Sequence, residues 1–123
     1  MTSLWAEIMP SIQIYFVKRS FDVQKAERFF KERRIAFQAV DMKKHAPGKR
    51  ELELFARTAG SVSALLDRDS QKVLSHPAAY MHDESSVIEE IIEDPSLLRT
   101  PIVRYGQKVT IGVHEDIWTQ WLA

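Results

Sequence analysis

Cysteine is absent from this chain of 123 residues. That excludes disulfide bridges, thiolate metal sites and any redox cycle run on the protein's own thiols. Net charge is also absent, since 17 Lys and Arg balance 17 Asp and Glu. No overall field therefore steers the molecule toward nucleic acid or an anionic membrane, although a local basic patch is compatible with the count. No apolar run approaches the roughly 18 residues needed to cross a bilayer. Glycine is scarce at 4 residues and low-complexity segments are missing, which argues against a flexible linker or repeat protein. What remains is the composition of an ordinary globular domain, with 45% hydrophobic and 28% charged residues.

The patterning supports one domain over residues 11–123, preceded by an N-terminal extension at 1–10. The extension holds Leu4, Trp5, Ile8 and Met9 but no basic segment and too short an apolar run for a signal peptide. Trp5 and Met9 have no evident core role and would either dock on the domain or mark a partner surface. Ile12, Ile14 and Phe16 alternate as in a half-buried strand. Ser20 then suits a helix N-cap, with Asp22 in the first turn. Val23, Ala26 and Phe30 share a helical face, predicting a helix to about Arg34. Ile35–Met42 reads as a second strand, completing a β-α-β unit with parallel strands.

Pro47-Gly48 breaks the chain, and Glu51 follows Gly48 at capping-box spacing. Leu52, Phe55, Ala56 and Ala59 predict a helix stopped by Gly60. Val62–Leu66 is expected to form another short helix, and Asp67–Asp83 is the least regular stretch. Ser86 with Glu89 offers a capping box for a helix carrying Val87, Ile88, Ile91 and Ile92, ended by Asp94-Pro95. Ile102–Tyr105 and Lys108–Ile111 predict a hairpin around Gly106-Gln107. Ile117, Trp118, Trp121 and Leu122 then share one side of a final helix.

Four segments, in this order, resemble the arsenate-reductase and Spx family. They are Tyr15–Ala26, with Lys18 and Lys25-Ala26; Pro47–Leu52; Gly60–Leu66; and Asp94–Val103 followed by Gly106-Gln107-Lys108-Val109 and Ile111-Gly112. The resemblance implies an α/β, thioredoxin-like domain with a mixed four-stranded sheet and an inserted helical segment at about 48–97. It also implies that Pro101 is the cis proline beside the active site and that Ser20 occupies the place of the nucleophilic cysteine. The positions matching the family's three oxyanion arginines are Ser63, Thr100 and Val113. A thiolate and three cations are thus replaced, which argues against arsenate reduction and for no catalytic residue at Ser20.

Candidate ligand-binding residues are Lys18, Arg19, Ser20, Arg99, Thr100 and Pro101. Lys18 and Arg19 precede a helix N-terminus that favours anions, but paired basic residues are commonly solvated. Arg99 neighbours Thr100, and adjacent strand residues point to opposite faces, so Arg99 is expected to turn away. His45, His76, His82 and His114 show no metal-ligand spacing, so no metal is expected. The basic run Lys31–Arg34 with Lys43-Lys44 and Lys49-Arg50 lacks interleaved aromatics, so direct nucleic-acid binding is not expected.

The leading expectation is a cytoplasmic, monomeric, non-redox binding or regulatory domain with no cofactor and no membrane association. Family resemblance makes the C-terminal domain of the RNA polymerase α subunit a candidate protein partner. The alternative is a small-molecule protein or enzyme binding glutathione or an anion around Ser20 and Thr100-Pro101. A decayed paralogue with a structural role is the third reading.

Overall fold

The computed structural model describes residues 11–123, so the extension with Trp5 and Met9 lies outside the described residues. Strand β1 (Ile12–Phe16) sits inside a sheet of order β2-β1-β3-β4. Its alternation divides the core, because successive side chains leave a strand on opposite faces. Ile12 and Ile14 join Phe29, Phe30, Val103 and Trp118 on one face, while Tyr15 joins Leu52, Phe55, Leu65 and Ile102 on the other. Strand β2 (Phe37–Asp41) pairs with β1 in parallel at the sheet edge. Strands β3 (Ile102–Tyr105) and β4 (Lys108–Ile111) form the expected hairpin, with β3 antiparallel to β1. The sheet is therefore mixed and four-stranded.

Helix α1 (Phe21–Glu32) connects β1 to β2 and buries Val23, Ala26, Phe29 and Phe30. It stops short of the predicted Arg34. Arg33 caps it, and Arg34 adopts a left-handed φ of 57°, which reverses the chain within a few residues. The second strand is correspondingly shorter than the predicted Ile35–Met42, and Met42 turns into the core with no exposure.

Between β2 and β3 the chain is helical. Helix α2 (Lys49–Ala59) begins at Gly48, whose amide donates to Glu51 Oε1 at 3.2 Å, the carboxylate half of a capping box. Gly60 ends it at φ 100°, a conformation open to glycine without a Cβ clash. The predicted helix at Val62–Leu66 is a single 3-10 turn, Ser63–Leu65. The stretch read as least regular holds helix α3 (Gln71–Leu74) and a 3-10 turn at Pro77–Tyr80. His76 Nδ1 accepts from the Ala78 amide at 3.0 Å and caps that turn, and Val73 and Ala78 are fully buried.

Helix α4 (Glu84–Glu93) corrects the predicted start at Ser86. Asp83 is the N-cap residue, and Ser86 lies inside the first turn, donating from Oγ to Asp83 Oδ2 at 2.8 Å. A 3-10 turn at Pro95–Leu97 follows, and the Thr100-Pro101 peptide is cis, as the resemblance implied.

Helix α5 (Glu115–Trp121) closes the chain over α1. Trp118 is fully buried against Phe29 and Phe30, at ring separations of 5.2 and 5.4 Å. Its indole N–H donates to Thr110 Oγ1 at 2.7 Å, so the buried donor is satisfied. Ile117, Trp121 and Leu122, expected on the same side, are only half-buried.

Candidate functional site

The β1-to-α1 turn and the entry to β3 meet at one cleft of about 780 Å³. Ser20 reaches it because the turn is tight: its amide donates to the Lys18 carbonyl at 2.9 Å, and its own carbonyl accepts from Gln24 at 2.9 Å. Its hydroxyl accepts from the Val23 amide at 3.3 Å, the N-cap role read from the sequence. No histidine lines the cleft, so no imidazole stands ready to take the Ser20 proton. The serine hydroxyl is engaged as a helix cap.

The six candidate ligand residues separate. Lys18, Ser20 and Thr100 line this cleft, and Pro101 is buried beside Thr100. Arg19 turns away: its guanidinium holds both oxygens of Glu27, at 2.8 and 2.7 Å, and lies 5.0 Å from the centre of the Phe16 ring. Arg99, in the irregular segment before β3 and so outside any strand, lines a different cavity beyond β4. The positions matching the family's arginines are dispersed as well. Ser63 Oγ accepts from Arg68 at 2.6 Å, and Val113 packs against the aromatic side of the core. No arginine lines the cleft.

The cleft contains residues that sequence reasoning missed. Lys43 enters from the loop after β2, and Asp67, Ser70, Lys72, Asp94 and Ser96 come from the helical insertion. Lys72 Nζ lies 2.9 Å from Asp94 Oδ2 and also bonds Ser96 Oγ, which in turn donates to Asp94. The Ser96 hydrogen bond, with that from Lys72, holds the Asp94 carboxyl below its ordinary range against the opposing effect of burial. Nothing in the local sequence links Lys72 to Asp94, because folding of the insertion brings them together. Phe21 is different. It is 89% exposed at the rim, an apolar residue opening an otherwise amphipathic helix, and that mismatch is legible in the sequence.

Among the described residues no group of three or more His, Cys, Asp or Glu side chains could hold a metal ion, and no helix is long and apolar enough to cross a membrane.

A parallel β-α-β unit, an antiparallel hairpin, a closing helix and a cis proline beside the first turn define a thioredoxin-like α/β domain. The chain belongs to the ArsC family, whose model matches residues 15–121. No curated protein matches it in sequence. Solved structures share the fold at low identity. The YffB (PA3664) protein is 19% identical with a TM-score of 0.77, over 92% of this chain and 100% of that one. An arsenate reductase from Vibrio cholerae is 18% identical with a TM-score of 0.74, over 91% of this chain and 98% of that one. An arsenate reductase (ArsC) related protein from Brucella melitensis is 22% identical with a TM-score of 0.65, over 91% and 94%.

Proposed function

We propose that this chain is a non-redox member of the ArsC family that acts as a cytoplasmic, monomeric binding or regulatory domain. The observation that carries this reading is Ser20. The family's nucleophile position holds a hydroxyl engaged as a helix cap, in a cleft without a histidine or an arginine. An alcohol without a base is a weak nucleophile, and a doubly charged oxyanion without arginines lacks its clamp. The Spx-type precedent within this fold makes the C-terminal domain of the RNA polymerase α subunit the first partner to test, by analogy of fold alone.

The cleft itself favours a second reading. Lys18 and Lys43 have no ion-pair partner among the described residues, and with Thr100 they could receive glutathione or an inorganic anion. One NMR titration separates the two. Added α-subunit domain should produce saturable shifts, while glutathione and arsenate produce none at Lys18, Ser20 and Thr100. Saturable shifts at those three residues with glutathione would replace the first reading with the second. Arsenate turnover by the purified protein would sink the non-redox reading.

A further inference from the structure

A second cavity of about 570 Å³ lies between α2, β4 and α5. Its apolar wall is made by Ala59 of α2, Ile111 of β4, and Ile117 and Trp121 of α5. The chain carries acids and bases in equal number, yet among the described residues no Asp or Glu lines this groove, whereas Arg99 and Lys108 do. Neither cation has an ion-pair partner among the described residues. Arg99 and His114 lie over Gly112: Arg99 Nε and Nη2 lie 3.7 and 4.0 Å, and His114 Nε2 3.9 Å, from the place a Cβ on that glycine would take. Gly112 has φ 90°, a conformation that a side chain would strain.

We propose that this groove binds a small apolar monocarboxylate, with its hydrocarbon part on Ile117 and Trp121 and its carboxylate on Arg99. A guanidinium at the mouth offers a planar pair of donors that matches one carboxylate. The apolar wall takes the hydrocarbon part, because apolar surface brought against it is removed from water. The volume falls within the roughly 300–1,000 Å³ of small-ligand sites.

Octanoate and octanol, matched in length and differing in charge, make the test. Titrated into the full chain and followed by calorimetry and amide NMR, octanoate should bind saturably at one site. Shifts should centre on Arg99, Ile117 and the Trp121 indole. Octanol should bind at least about tenfold more weakly, a difference of roughly 1.4 kcal/mol. Arg99→Gln, at an exposed position, should weaken octanoate by about tenfold and leave octanol unchanged. Ile117→Glu, which places a carboxylate in the groove, should abolish octanoate binding. Equal affinities for acid and alcohol, or indifference to Arg99→Gln, would overturn the proposal and leave only an apolar patch. Shifts confined to Lys18, Ser20 and Thr100 would overturn it too. So would contacts from Trp5 or Met9 into the groove that octanoate does not displace, since this chain's own first residues would then be the occupant.

Discussion

Two cavities begin at adjacent residues, Thr100 and Arg99, and differ in how charge is distributed along their walls. In the cleft at Ser20 both signs of charge are present: Lys72 is answered by Asp94 and Ser96, while Lys18 and Lys43 have no ion-pair partner among the described residues. Arg19, which the sequence places at the same turn, is removed altogether by Glu27. In the groove beyond β4, cations line an apolar wall and, among the described residues, no carboxylate lines it with them. The first place lies at the β1-to-α1 turn beside the cis proline. The second has an unanswered cation on a surface that the family resemblance did not mark.

The largest expected effect tests the scaffold of the groove. Trp118→Ala should cost about 3–5 kcal/mol in urea denaturation, because it opens a void beside Phe29 and Phe30 and strands the Thr110 hydroxyl. A loss below about 1 kcal/mol would mean that α5 is not anchored there, and that the groove has no fixed wall.

The next test bears on the cleft. Ser20→Cys should yield a thiol with a pKa below the ordinary value of about 8.5, since a helix N-terminus stabilises a thiolate. The pH dependence of iodoacetamide alkylation reads it directly. A thiol of ordinary pKa would show that the inherited turn no longer presents this position as the family does. The same substitution should not create arsenate reductase activity, because no arginine lines the cleft.

Ser20→Ala should lower stability by about 1 kcal/mol or less through loss of the cap, and should leave octanoate binding intact. Loss of octanoate binding would join the two cavities that the structure separates.

The smallest effect concerns Asp94. Its folded pKa lies below the unfolded value, so its contribution to stability is present above the ordinary carboxylate range and is lost as pH falls through the folded pKa. Ser96→Ala removes the largest lowering influence. An NMR titration of the Asp94 carboxyl should then move up toward the ordinary range, with a slight loss of stability near neutral pH and none below both pKa values. Solvent at this half-exposed pair keeps the change small. An unmoved titration would show that the charge in the cleft is not held by this network.

Much of the fold is legible in the amino-acid sequence. Alternation in Ile12–Phe16, the helical stripe of Val23, Ala26 and Phe30, the Gly48 and Gly60 boundaries and the hairpin at Gly106 each follow from local periodicity and turn chemistry. Such signals extend over a few residues, and the backbone obeys them wherever packing does not object. Ser20 as a cap belongs with them, because a cap needs only the amide three residues ahead.

Packing decided the rest. Val73 and Ala78 are fully buried in a stretch with no local period, because the insertion's short turns fold over the sheet rather than along a helix face. The Lys72–Asp94 pair, the capture of Arg19 by Glu27 and the approach of Arg99 to Gly112 each join residues that meet only once the chain is folded. The sequence by itself determined the elements, their order and the absence of thiol chemistry, since these depend on residue type and near neighbours. Only the tertiary structure decided which charges are answered and which face a cavity, because Coulomb and hydrogen-bond partners act through space at contact distance and take no account of separation along the chain.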